Sequence, residues 1–270
     1  MASLPSRGDR RFPPGCGLLV VGHGTADPVG AAETRRVSEL VAKALPRVPV
    51  ALGFLEVIGP TIAEGLAVLA QAGCREVVAA PLLLFEAGHA KRDVPEAIAA
   101  PAADHGLGVW QAGPLGLHDA IVRLSRRRRE AVGFDETPAE ATALVMVGRG
   151  SSDPTAPAQL QAFAAATFAA APHPARLILG FVAAARPTVA EALAAAADPS
   201  WREVRRILVQ PHLLFRGHVE EQVREAVAAA RSARPELEWV QVPRLGPDPL
   251  VAEALIDRAA EAIGAWAPGG

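Results

Sequence analysis

Leu18-Leu-Val-Val-Gly-His-Gly-Thr-Ala-Asp27-Pro28 returns later in the same chain as Leu144-Val-Met-Val-Gly-Arg-Gly-Ser-Ser-Asp153-Pro154. An apolar run that breaks at Gly-X-Gly and then at Asp-Pro reads as a buried strand, a tight turn and a helix start. Three further blocks repeat in the same order. Gly53-Phe54…Pro60-Thr61 matches Gly180-Phe181…Pro187-Thr188, and Pro81-Leu-Leu-Leu-Phe85…Gly88-His89 matches Pro211-His-Leu-Leu-Phe215…Gly217-His218. Gly113-Pro-Leu-Gly116 is echoed by Arg244-Leu-Gly-Pro247. The offsets are 126 (23 to 149), 127 (54 to 181), 129 (89 to 218) and 130 (115 to 245). Ordered blocks at so steady a spacing mean one structural unit written twice.

Within a copy, apolar or β-rich runs at 18–21, 48–54, 76–85 and 108–111 alternate with amphipathic stretches at 31–45, 61–72, 91–103 and 117–132. Runs apolar on both sides, bounded by Gly or Pro, suit strands buried on two faces. Strand–helix alternation builds right-handed crossovers, hence a parallel sheet with helices on both faces. The expectation is an α/β protein of two tandem domains, at 15–135 and 140–268. A flexible arm at 1–14 precedes them, and a Pro/acid-containing linker near 133–140 joins them. Asp27-Pro28 and Gly59-Pro60 are the expected helix starts.

Composition narrows the function. The 270 residues carry 27 Lys+Arg against 29 Asp+Glu, a net charge of −2, which lacks the basic excess of a nucleic-acid binder. Two cysteines, Cys16 and Cys74, give neither a disulfide framework nor a CxxC site, so a reducing, cytoplasmic setting is expected. The run at 18–21 is too short for a signal sequence or a membrane span. Aromatic residues are few (8 Phe, 4 Trp, no Tyr), so the core must be Ala, Val and Leu. GxGxxG, GxxxxGK[ST] and GxSxG patterns are all missing, so neither a nucleotide cofactor nor a serine nucleophile is expected.

Ligands of open parallel sheets bind beyond the carboxyl ends of the strands. His23 follows the first strand, Glu56 the second and His89 the third. Two imidazoles and a carboxylate converging on that edge would make an incomplete site for a first-row divalent ion. Taken singly, each has a plainer role, as a turn residue, a loop carboxylate or a surface residue at a helix start. In the second copy, His23 becomes Arg149, Glu56 aligns with about Ala183, and only His218 persists. Arginine is a poor metal ligand but grips carboxylates. The first copy is therefore expected to carry the metal chemistry, and the second to bind an anionic substrate or prop the site. His212 reads as a satisfied strand histidine, with lining the cleft as its alternative, Cys74 as buried, and Arg126–Arg129 as a solvated helix face.

The blocks Val-Gly-His23-Gly-Thr, Phe-Leu-Glu56…Pro60 and Pro81-Leu-Leu-Leu-Phe…Gly-His89-Ala-Lys-Arg-Asp-Val-Pro-Glu96 together resemble the class II tetrapyrrole chelatases. Within them, they resemble the sirohydrochlorin cobalt- and iron-chelatase family in its long, two-repeat form. The resemblance spans nearly the whole chain after the arm. It implies two flavodoxin-like domains facing each other across a cleft, where cobalt or iron enters sirohydrochlorin without ATP on the way to cobalamin or sirohaem. By motif, His23 and His89 match the family's metal-binding, proton-accepting histidines, and Glu56 its acidic partner. Arg149, Ala183 and Glu86 depart from that pattern. Lys91, Arg92, Arg149 and Arg216, with His218, are the expected anchors for the substrate's carboxylates, and Phe54 and Leu55 the expected cover for its ring. The metal is substrate, with cobalt, iron and nickel left open. The fused repeat allows a monomer. A non-catalytic tetrapyrrole or metal carrier is the alternative.

Overall fold

The computed structural model describes residues 11–85, 88–134, 138–169 and 173–266, with the side chains of all of these except 88–91 and 266. Strands β1 (Cys16–Gly22), β2 (Val50–Phe54), β3 (Glu76–Pro81) and β4 (Gly108–Gln111) form one sheet in the order β2-β1-β3-β4, every pairing parallel. All seven residues of β1 are buried, as the central strand of a sheet covered on both faces must be. Alternation along the strands sends Leu19, Val21, Ala51, Val77 and Ala79 to one face. There they pack with Ile62, Leu66 and Leu69 of α2 (Ile62–Gln71) and Val94, Ile98 and Ala102 of α3 (Gly88–Asp104). The opposite face lies under α1 (Pro28–Ala44) and α8 (Pro249–Trp266).

The second sheet repeats this plan. Strands β5 (Thr142–Gly148), β6 (Arg176–Phe181), β7 (Arg206–Pro211) and β8 (Glu238–Gln241) lie in the order β6-β5-β7-β8, again parallel. Leu18 pairs with Val50 where Leu144 pairs with Leu177, so the sequence offsets reappear as register. Helices α6 (Val189–Ala196) and α7 (His218–Ala233) cover one face around Ala143, Val145, Val147, Ile207 and Val209. Helices α5 (Ala156–Thr167) and α4 (Asp119–Glu130) belong to the other.

The helix starts are chemical duplicates. Thr61 and Thr188 each accept from the N–H three residues on, while Glu64 and Glu191 return a carboxylate to the cap N–H. Pro60 therefore precedes the N-cap rather than opening the helix. At α1 the expected start holds: the Asp27 side chain accepts from Val29 and Gly30 N–H, and Pro28 occupies the first turn.

In four places the structure adds to expectation or departs from it. First, the repeats expected at 15–135 and 140–268 share helices, the compact units being Met1–Ala120 with Pro247–Gly270, and Ile121–Gly246. Helix α4, last of the first repeat, is bound into the second unit: Gln210 Nε2 donates to the Ser125 carbonyl (2.8 Å), and Arg129 Nη1 donates to Gln210 Oε1 (3.1 Å). Helix α8, last of the second repeat, packs on α1, β3 and β4 of the first unit. Second, the arginine run at 126–129 is only partly the solvated face expected, Arg127 being exposed but Arg129 buried. Arg129 is 1% exposed, its guanidinium lying 4.2 Å from the Phe168 ring centroid and 5.0 Å from that of Phe134. Two rings and three acceptor contacts replace the water it gives up. Third, the expected arm at 1–14 is structured where it is described. Phe12 is buried, Arg11 pairs with Asp257 of α8, and the Pro13 carbonyl accepts from Cys16 N–H. Fourth, β3 stops at Pro81, not at 85, because Leu83 N–H turns back onto the Pro81 carbonyl (2.9 Å).

Candidate active site

In a 2-1-3-4 sheet the chain leaves β1 towards one edge and returns to form β3 on the other side, which opens a crevice beyond the carboxyl ends of β1 and β3. His23 is the first residue after β1. Gly22 must be glycine, since a Cβ there would meet the Phe54 ring and the Thr34 methyl at 2.9 Å. Beyond the strand ends the β1–β2 ladder continues for two rungs. Leu55 N–H donates to the Gly22 carbonyl (2.9 Å) and Glu56 N–H to the His23 carbonyl (3.1 Å). Gly24 has φ +101°, and a Cβ on it would lie 1.9 Å from the Glu56 carbonyl oxygen, so only glycine lets the two loops approach so closely. The outcome is a side-chain pair, His23 Nε2 3.3 Å from Glu56 Oε1, with the two side chains 46% and 58% exposed.

Both loops are held from behind. Asp27 N–H donates to Thr25 Oγ1 (3.1 Å) while the Asp27 carboxylate caps α1, which closes the turn after His23. The Glu56 carbonyl accepts from Ile58 N–H (2.8 Å) around Val57, a γ-turn with φ +71° at its centre. Phe54 N–H donates to the Pro60 carbonyl (2.7 Å), and Arg35 of α1 donates to the Gly59 carbonyl (2.6 Å) with its guanidinium 5.3 Å from the Phe54 ring centroid. Sequence reasoning missed Arg35 and Val57. Nothing in a helix arginine or a loop valine signals the backbone it supports or the φ it adopts.

The third loop lies on the same edge. Leu82 N–H donates to the Val21 carbonyl, and the Leu83 and Leu84 carbonyls accept from Leu115 and Gly116 N–H. His89 is the second residue of α3, which places it at the helix start after β3. Its side chain and that of Lys91 lie outside the described residues. Arg92 is exposed one residue further on. Among the described residues, no three His, Cys, Asp or Glu side chains gather closely enough to hold a metal ion. The described site is therefore an imidazole–carboxylate pair. It can hold a cation weakly and accept a proton, but it does not enclose an ion.

Leu55 is half-buried at this edge. Phe54 is corrected: at 1% exposure it packs inside the first unit under Arg35 and offers no ring to a ligand.

The second unit keeps the backbone and changes the chemistry. Ala183 N–H donates to the Arg149 carbonyl (2.9 Å), and a Cβ on Gly150 would lie 1.8 Å from the Ala183 carbonyl oxygen. Arg149, Arg216 and His218 are exposed on loop-edge positions of that sheet, Arg216 lying 3.7 Å from Glu221. His212 is buried with its ring centroid 4.0 Å from that of Phe163, and burial pushes its pKa from 6.5 down to about 3. It is a core residue, as expected, but lies one residue beyond β7 and not within the strand. Cys16 and Cys74 are buried free thiols, and burial, with the Glu76 and Cys74 charges behind it, lifts the Cys16 thiol to about 11.

The profile of one family, CbiX, matches twice, at residues 17–132 and 143–262. The chain belongs to the CbiX family. Relatives within reach of it include a sirohydrochlorin cobaltochelatase of Priestia megaterium, 26% identical over 91% of this chain and 79% of that protein. A sirohydrochlorin ferrochelatase of the same organism is 31% identical over 77% of this chain and 76% of that protein. Among solved structures, SirB from Bacillus subtilis with Fe3+ is similar at a TM-score of 0.78, with 25% identity, covering 92% of this chain and 95% of that one. SirB from Bacillus subtilis subspecies spizizenii in complex with cobalt follows at a TM-score of 0.75 and 25% identity, covering 93% and 97%. The fold of this CbiX chain is accordingly two tandem chelatase-like units. No helix among its described residues is long and apolar enough to cross a membrane.

Proposed function

We propose that this chain inserts a divalent metal ion, cobalt or iron, into sirohydrochlorin without a nucleotide. The observation that carries the proposal is the exposed His23–Glu56 pair, 3.3 Å apart on the loop edge of the first sheet. The named activities of its CbiX relatives, on cobalt and on iron, support the same reaction. Insertion exchanges one M2+ for the two pyrrole N–H protons and leaves every oxidation state unchanged. Neutral His23 presents a lone pair that can hold the ion and then take a proton, and imidazole is basic enough near neutral pH for both tasks. Glu56 adds the negative charge that draws the cation and the second basic group. His89, at the start of α3, is assigned as the remaining ligand and proton acceptor. An open ligand set matters, because a closed cage would keep the ion. Leu55 covers part of the ring, while Lys91, Arg92, Arg149, Arg216 and His218 are assigned to the peripheral carboxylates. Two buried, unbridged cysteines favour a cytoplasmic protein.

The test is the absorption change of sirohydrochlorin with Co2+ or Fe2+, against the uncatalysed rate. His23→Ala and His89→Ala should each abolish the acceleration. Retention in both would refute the site, and tight stoichiometric binding without acceleration would make the chain a carrier.

A further inference from the structure

Val57 is held in a conformation that L-residues avoid. A β-branched residue at φ +71° inside a γ-turn is strained, and such strain persists only where surrounding structure enforces it, most often at functional sites. Val57 is also 63% exposed, the highest value for any large hydrophobic among the described residues. A strained backbone and an apolar side chain left in water both work against folding. The positive φ belongs to this loop in both units, since the equivalent turn of the second is built on Ala184 at φ +54°, but the exposed branched side chain does not. The branched apolar side chain thus occurs in the unit that has His23 and Glu56, and is trimmed to a methyl in the unit that has Arg149 and Ala183.

Geometry supplies a use for it. The nitrogens that accept a metal lie at the centre of a tetrapyrrole, and the carboxylates at its rim. A turn that brings Glu56 to the centre must lie over the ring face, and the neighbouring side chain then meets apolar ring rather than charged rim. Val29, 40% exposed in the first turn of α1 after the His23 loop, is a second apolar residue on this side. We infer that Val57 is a substrate-contact residue that packs against the apolar face of the macrocycle and selects for a flat ring beside Glu56. The inference rests on the insertion function proposed above.

Val57→Gly removes the side chain and relieves the positive φ together. It should melt no lower than the wild type, raise KM for sirohydrochlorin about five- to tenfold, and leave KM for Co2+ unchanged. Val57→Ile should restore the wild-type KM. Ala184→Val, which places the same side chain in the second unit, should lower the melting temperature without moving either KM. An unchanged KM for sirohydrochlorin in Val57→Gly, or a parallel loss of both KM values and thermal stability, would overturn the inference. If the wild type accelerates no insertion, the proposed reaction fails separately, and Val57 is then judged by equilibrium binding of metal-free sirohydrochlorin. Weaker binding to Val57→Gly sustains the contact, and equal binding, or none by the wild type, overturns it.

Discussion

Gly24→Ala tests the central geometric claim, that backbone contact between two loops sets the His23–Glu56 spacing. The new methyl would sit 1.9 Å from the Glu56 carbonyl oxygen, about 1.1 Å inside the 3.0 Å that real Cβ contacts keep. The obstructing atom belongs to the backbone, so no rotamer change relieves it and one loop must move. A residue with a Cβ at φ +101° adds strain to the crowding, for a combined cost of about 2–4 kcal/mol. A displacement of about 1 Å carries a 3.3 Å pair beyond hydrogen-bond reach, and misplacement on that scale costs about 100-fold in rate. Gly150→Ala is the built-in control, since its methyl would meet the Ala183 carbonyl oxygen at 1.8 Å with φ +85°. Both variants should lose similar stability in thermal unfolding followed by circular dichroism. In the cobalt-insertion assay only Gly24→Ala should lose kcat, with any effect of Gly150→Ala confined to KM for the tetrapyrrole. Equal losses of kcat in the two, or a wild-type kcat in Gly24→Ala, would refute the reasoning.

Other perturbations reach the second unit. Burial holds His212 neutral down to about pH 3, whereas the unfolded chain takes up that proton near 6.5. Stability from this site is therefore complete above about pH 6.5 and falls with acidification at up to about 1.4 kcal/mol per pH unit, or about 2 kcal/mol by pH 5. His212→Leu, which restores the residue type of position 82, should flatten urea-unfolding free energies between pH 7 and 5. An unchanged slope would show that His212 is not what titrates. Arg129→Ala should cost about 3 kcal/mol or more in urea unfolding, because Gln210 Oε1 and the Thr167 carbonyl lose a buried charged donor and two rings lose their cation. A loss below about 1 kcal/mol would mean that the network contributes little.

Much of this was legible because it is periodic. The repeat blocks predicted two sheets of four strands with helices between, and Gly22-His23-Gly24 marked the turn after the first strand. Glu56 was legible by position alone, because residues just past parallel strands face a common edge. The pairing of α4 with the second sheet was not legible. Helices α4 and α8 hold the same place in their repeats, so exchanging them changes no hydrophobic period and leaves no trace in the pattern. Arg129 was misread for a related reason: an arginine that follows three others looks solvated until the sheet that buries it is known. Phe54 was assigned to the ligand, with Leu55, as an apolar loop residue, but it is the last residue of β2 and its ring is buried inside the first unit.

The exchange of α4 and α8 governs how the molecule can be made and remade. During synthesis the first sheet is complete long before α8 leaves the ribosome, so the part of its face over β3 and β4, beside α1, waits uncovered through the whole second repeat. A recombination event that swaps one repeat for a foreign copy would also swap a helix the other sheet depends on. The shared helices thus tie the inheritance of the half that bears His23 to that of its sibling that bears Arg149.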